Sequence, residues 1–300
     1  MKIAVTTPTG HVGRVVVERL LDAGADLRLL VRDPARLRLT DRQVRHLETA
    51  RGSLGDKAFV IDATRGVDVL FWATPPCMTS NDVSGTQVRM AKAAAAAIEA
   101  NEILRVVNLS CLGAQRSWGG GSVSGLHEVE EVLDQAAISI RHLRPAYFFE
   151  NYLLQLAAIS QAGRIRLPVA GAVRFPMIAA SDVAEVAAVR LLDADWEGYG
   201  AEELHGAADL SFSQAATLIS EGIGRKVVHV KASPEEALAA MEALGFSEDA
   251  AELALEYYEA IEAGLLRPTE PRSAGTTTGT TLLAFAHEVL APLLPAAVGP

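Results

Sequence analysis

The chain has 300 residues, half of them hydrophobic, and carries 27 basic against 37 acidic side chains for a formal net charge of −10. That composition supplies a sizeable core and argues against disorder, while the acidic balance repels a phosphate backbone and disfavours nucleic acid as a partner. Cys77 and Cys111 lack CxxC spacing or a nearby His/Cys cluster, and no apolar run reaches membrane-span or secretory-leader length, so a cytoplasmic protein without disulfides or metal is expected.

Residues Lys2–Thr6 read as a first strand, followed by the turn "VTTPTGHVG". From Val12 the apolar positions Val15, Val16 and Leu20 recur at helical spacing, and Gly24 stops the helix. Further strands are expected at 27–31, 67–72, 105–110 and 138–143, with a weaker one at 46–49, and helices at 82–100 and 127–136. Regular alternation of strand and helix calls for a parallel sheet covered on both faces, a doubly wound α/β fold of Rossmann type. Beyond Pro145 the rhythm turns helical: 151–161, 181–192, 212–223, 234–244 and 248–264, with few strands between. Ser233-Pro234-Glu235-Glu236 combines a capping serine, proline at the first helical position and acids against the helix dipole. The division expected is a NAD(P)-binding domain over 1–145 and a smaller, mostly helical substrate-binding lobe over 146–300, with part of 165–195 returning to the first domain. The Thr/Gly-rich stretch 273–281 reads as a surface loop ending in a threonine cap, in preference to a phosphate cradle.

A dinucleotide turn spaced G-x-x-G-x-x-G uses its glycines for the tight bend, for close approach of the pyrophosphate and for helix–strand packing. Here Gly10 and Gly13 fill the last two roles and Thr7 stands in the first. Because Pro8 restricts the residue before it to extended geometry, Thr7 is expected to avoid positive φ. Thr7, Thr9, Gly10, His11, Val12 and Gly13 are the candidate phosphate contacts, at the amide-rich start of the first helix. At the end of the second strand Asp33 would accept from a ribose 2′-OH, implying NAD, whereas Arg32 backed by Arg36 would clamp a 2′-phosphate, implying NADP(H). The arginine reading is preferred, with Asp33 as a cap of the next turn.

"TTPTGHVG", "VRDPARL", "GVDVLFWATPP", "VVNLSCLGA", "HEVEEVL", "LRPAYFFENY", "MIAASDVAEVAA" and "TTGTTLLAFAHEVLAP" occur in an order and spacing that resembles the NmrA-like family of atypical short-chain dehydrogenases/reductases. The resemblance implies a Rossmann domain holding NADP(H), with the 7–13 turn on the pyrophosphate, Arg32 on the 2′-phosphate, Ala73, Thr74 and Pro75 beside the cofactor, and the strand ending at Ser110 near the nicotinamide. Ordinary members of the superfamily use a Tyr-x-x-x-Lys pair for proton transfer; this chain has none, and Ser122 and Leu126 align with those positions. His127, Tyr147 and Ser110 are the candidate catalytic replacements, with Cys111 read as a small core residue, Glu150-Asn151 as a lobe junction, and the 119–121 glycines beside Trp118 as a mobile lid. The function expected is hydride transfer from NADPH to a small electron-poor molecule, quinone-like or another carbonyl or enone. A quinone needs little proton donation before its transition state. The missing pair fits a second reading as well: a non-catalytic NADP(H)-sensing protein that binds a protein partner. A cofactor-retaining isomerase or lyase is a third class, and the sequence leaves a homodimer open.

Overall fold

The computed structural model of the chain describes residues 1–40 and 47–295. The alternating first half lays down β1 (Lys2–Thr6), β2 (Asp26–Val31), β3 (Leu47–Arg51), β4 (Val69–Ala73), β5 (Arg105–Leu109) and β6 (Ile140–Pro145). The expected 46–49 strand thus begins at Leu47, His46 lying outside the described residues. The second half adds β7 (Tyr147–Phe148), β8 (Arg164–Leu167), β9 (Arg174–Ile178), β10 (Tyr199–Leu204), β11 (Ala208–Ser211) and β12 (Val228–Lys231). Among the described residues β10-β6-β5-β4-β1-β2-β3 form one seven-stranded sheet in which every pairing is parallel.

Both faces of that sheet are covered, as parallel strands joined by helical crossovers require. Ile3, Val5, Leu29 and Phe71 point to one face, on which helices His11–Asp22 and Ala180–Leu192 pack against each other. Ala4, Leu30, Leu70, Trp72 and Val106 point to the other, under Lys57–Ala63, Val83–Asn101 and Ser122–Ala136. The last of these starts at Ser122, five residues before the expected boundary, because Gly121 turns the chain at φ 58° and Gly125 is accommodated inside the helix. A Cβ on Gly125 would sit 2.1 Å from Gln87 Oε1, so a larger residue there would have to displace that buried amide.

The second half contains more strand than its residues announce. β10 closes the sheet edge beside β6, and β11-β9-β7 and β12-β8 make two small accessory sheets. These strands are short, and Tyr-Gly-Ala-Glu-Glu-Leu has a single strand-favouring side chain, so register with β6 supplies what local preference does not. The lobe helices Phe212–Ile223, Pro234–Ala243 and Glu248–Glu262 fall close to their expected spans. Ser233 caps its helix in a reciprocal capping box with Glu236, and Thr281 caps the short helix Leu282–Phe285 by accepting from the Ala284 N–H. Among the described residues no helix is long and apolar enough to cross a membrane, and no group of His, Cys, Asp and Glu forms a metal site.

Candidate active site

The carboxyl ends of β1, β4, β5 and β6 come together where a doubly wound sheet places ligands. Thr6 fixes the first two: its hydroxyl donates to Phe71 O at 3.1 Å and accepts from the Ala73 N–H at 2.8 Å, both buried. Thr7 then takes φ 48°, which corrects the expectation that Pro8 would hold it extended. The reason is the turn itself: Gly10 N–H donates to Thr7 O at 3.0 Å, and that carbonyl must turn inward to be reached. The same carbonyl makes Gly13 obligatory, since a Cβ there would lie 2.2 Å from Thr7 O and 2.9 Å from its carbon. Thr7 therefore makes the tight bend that glycine makes in the usual pattern, with a backbone strain of about 1–3 kcal/mol. Thr7→Gly is expected to raise stability by about 1 kcal/mol once the extra freedom of glycine in the unfolded chain is subtracted. Cofactor affinity should stay unchanged, because the strain is present with and without ligand. Denaturant unfolding and a binding titration check this; a less stable variant would show that the Thr7 side chain contributes more than its backbone costs.

Helix His11–Asp22 begins at Gly10 with no side-chain cap, so its first amides face outward beside the exposed His11 and Arg14. Uncapped amides at a helix start are the groups an anionic pyrophosphate requires. Arg32 and Arg36 stand exposed just past β2, while the Asp33 carboxylate accepts from the Ala35 N–H at 3.2 Å and caps the short turn Pro34–Arg36. Asp33 is thus committed to the backbone and the guanidinium groups face solvent.

At the other end of the site Ala73, Thr74 and Pro75 leave β4, with Thr74 Oγ1 accepting from the Trp72 indole N–H at 3.0 Å. Ser110 follows β5; its hydroxyl is buried and has no hydrogen-bond partner among the described residues. Tyr147, 1% exposed, follows β6 and shares a 2.9 Å hydrogen bond with the Tyr258 hydroxyl from the lobe helix Glu248–Glu262. Tyr152 and Phe212 stand edge-on to the Tyr147 ring at 5.8 and 5.6 Å, and Tyr257 lies edge-on to Tyr258 at 5.7 Å. Burial pushes the Tyr147 phenol well above its ordinary range and the Tyr258 phenol up to about 12. Cys111 is pushed up to about 12, mainly by burial and secondly by Glu130, which suits a packed thiol and not a nucleophile.

His127 does not join this group through its ring: Nδ1 is 2.8 Å from Ala114 O and Nε2 lies 3.5 Å from Glu131. It ties helix Ser122–Ala136 to the 111–121 loop. That loop is anchored, in contrast to the free lid its glycines suggest. A Cβ on Gly121 would lie 2.2 Å from Leu253 O, and one on Gly113 would lie 2.5 Å from Leu266 Cδ2. The lobe is also tied to the loop after β4, through Ser247 N–H to Met78 O at 2.9 Å and Val83 N–H to Asp249 Oδ2 at 2.8 Å. Trp118 in this loop is 68% exposed, with the Arg116 guanidinium over its ring.

Tyr257 and Tyr258 escaped the sequence reading because a Tyr-Tyr pair in an amphipathic helix looks like core; only the folded lobe brings them to Tyr147 and Cys111. A family model described as the NmrA-like family matches residues 1–267. The chain is 28% identical over 256 residues to a NAD(P)H azoreductase of Xenophilus azovorans, covering 85% of this chain and 86% of that one. Its fold matches the crystal structure of an NADPH-dependent quinone oxidoreductase of Escherichia coli complexed with NADPH, with TM-score 0.78, 23% identity and coverage of 95% and 98%. The triphenylmethane reductase of a Citrobacter species matches with TM-score 0.80, 21% identity and coverage of 97% and 100%.

Proposed function

Because the chain belongs to the NmrA-like family, we propose that it is an NADPH-dependent oxidoreductase acting on flat, electron-poor conjugated molecules of the quinone or azo class. The observation that carries the reading is the unpartnered Ser110 hydroxyl at the end of β5, set on the same strand ends as the aromatic group of Tyr147 and Tyr258. The azoreductase and the quinone oxidoreductase that the chain resembles act on substrates of this kind by name. NADPH, when bound, supplies a hydride and with it both electrons.

The chain's own residues then have four tasks. The 7–13 turn and the open helix start hold the pyrophosphate, and Arg32 with Arg36 meets the 2′-phosphate. Ser110 donates to the substrate atom that gains charge. Two phenols sharing one hydrogen bond leave one O–H free, so the Tyr147–Tyr258 pair offers a second donor from above. Both phenols are weak acids, so they serve as hydrogen-bond donors to a delocalised anion that solvent protonates. His127 acts by anchoring the loop. The protein's unpaired cysteines suit the reducing cytoplasm.

Purified protein mixed with NADPH and either a naphthoquinone or an azo dye should consume NADPH, followed by its absorbance. Tight cofactor binding without turnover of either class would overturn the reading. Within it, Arg32→Ala should weaken NADPH binding roughly tenfold to a hundredfold, the scale of a charge-assisted contact to phosphate, and leave NADH binding nearly unchanged. Equal losses for both cofactors in a fluorescence titration would show that Arg32 does not read the 2′-phosphate.

A further inference from the structure

One aromatic side chain beside the Tyr147–Tyr258 pair has no task in this scheme. Tyr257 stands on the lobe helix Glu248–Glu262, one turn after Leu253 and one before Ile261, on a single stripe of that helix. The stripe meets the 111–121 loop: a Cβ on Gly121 would lie 2.2 Å from Leu253 O and 2.6 Å from the Tyr257 amide nitrogen. The Tyr257 ring is edge-on to Tyr258 at 5.7 Å, and Tyr258 lies 6.2 Å from Tyr147 and shares a hydrogen bond with its hydroxyl. Tyr257 also feels Cys111, the residue after Ser110. Its place is thus fixed by the strand end through Cys111, by the loop through Gly121 and by the tyrosine pair through Tyr258.

Two properties separate Tyr257 from a core tyrosine. Burial pushes its phenol well above the ordinary range, as it raises Tyr258 and Cys111, yet all three keep part of their surface open to solvent. Side chains enclosed by protein but still reached by water line a concavity. Glu256 and Glu259, which flank the two tyrosines in the chain, are exposed and mark the outer face of the helix. The second property is the hydroxyl. Tyr147, Tyr152, Tyr199 and Tyr258 each hydrogen-bond through theirs, whereas that of Tyr257 has no partner among the described residues. A phenylalanine would fill the same space without desolvating an O–H, so this hydroxyl calls for a partner from outside the protein.

We propose that Tyr257 is a specificity-determining residue whose O–H donates to a second acceptor oxygen of the substrate, selecting quinones over azo compounds and single-carbonyl enones. This rests on the reductase reading above, in which Ser110 and the Tyr147–Tyr258 pair serve the atom that gains charge. Tyr257 and Tyr258 carry their hydroxyls on adjoining rings of one wall, so both donors face the same flat molecule. A para-quinone, with a carbonyl at each end of its ring, offers an acceptor to each. An azo bond or a lone ketone satisfies one donor and leaves the other unpaired. Because its acidity is suppressed, Tyr257 stays protonated and donates throughout the ordinary pH range.

Tyr257→Phe keeps the ring and its contact with Tyr258 and removes the O–H alone. Binding to the NADP+-loaded protein is measured by calorimetry for a ring-methylated naphthoquinone, which does not alkylate thiols, and for the tetralone of the same ring system, which has one carbonyl. The variant should bind the quinone roughly threefold to tenfold more weakly, the scale of one neutral hydrogen bond, and bind the tetralone as the wild type does. In turnover, kcat/KM for the quinone should fall by the same factor, through KM, while that for an azo dye without ring oxygens stays unchanged. A purely structural role would lower all of these together. Equal losses for quinone and tetralone, no loss for either, or no binding of the quinone to the wild-type protein overturns the assignment. Selective loss of quinone binding in a protein that oxidises no NADPH would sink the reductase reading and leave Tyr257 as the reader of the second oxygen.

Discussion

Gly13→Ala is expected to abolish NADPH binding, with a loss of at least a hundredfold in affinity, and to destabilise the folded protein by several kcal/mol. The added methyl meets backbone, 2.2 Å from Thr7 O, 2.9 Å from Thr7 C and 3.3 Å from Pro8 Cα, and no rotamer change relieves it. Either the helix His11–Asp22 moves off β1 or the 7–10 turn opens, and both displace the amides that face the pyrophosphate. Cores of this density tolerate even one extra carbon poorly, with about 1–3 kcal/mol lost for ordinary overpacking; a clash with fixed backbone lies beyond that. Gly10→Ala is the control for stability alone, because its Cβ would stand 3.4 Å from the same carbonyl and φ is −79°, while a methyl where the pyrophosphate approaches should still weaken NADPH binding. Thermal unfolding and a fluorescence titration of both variants separate the cases. Gly13→Ala protein that binds NADPH normally would show that the turn is not the cofactor's cradle.

That contrast also marks what could be read from the chain. The order of β1 to β6, the helix start after "TTPTG", the capping role of Asp33 and the capped helix at Ser233 all follow from local pattern, because each depends on residues within a few positions of one another. The φ of Thr7 does not. Pro8 biases it toward extended backbone, and a carbonyl needed by Gly10 and Gly13 overrides that bias. β10 was hidden for a related reason, since its strand character comes from pairing with β6 more than fifty residues away. Ser110 and Tyr147 were legible as strand-end residues. The partner of Tyr147 was not, since Tyr258 is separated from it by 111 residues. His127 shows the converse, a titratable side chain well placed in sequence whose ring is spent on the Ala114 carbonyl.

Glu150→Gln is expected to stabilise the protein at pH 8 by up to about 3 kcal/mol and to change it little at pH 5. Glu150 begins the lobe, and both its carboxylate oxygens lie 3.1 Å from the Ala180 N–H that opens helix Ala180–Leu192. Burial raises its pKa from 4.5 to about 7; nearby Asp182 adds to this, while the backbone bonds and Arg14 oppose it. A carboxyl whose folded pKa is raised binds more protons in the folded state than in the unfolded one. Its contribution to stability is therefore complete below the unfolded value and is lost as pH rises through about 7. The loss is the difference between 4.5 and about 7 at 1.36 kcal/mol per unit, hence about 3 kcal/mol. Glutamine keeps an oxygen for the Ala180 N–H and never ionises, so it escapes the cost above neutrality and matches the protonated acid below it. Because Ala180–Leu192 packs on the helix that begins at Gly10, the acid joins the lobe to the cofactor turn, and its ionisation loosens that joint at alkaline pH. Guanidinium unfolding of both proteins at pH 5 and pH 8 checks the claim; a difference of the same size at both pH values would mean that Glu150 does not titrate between them.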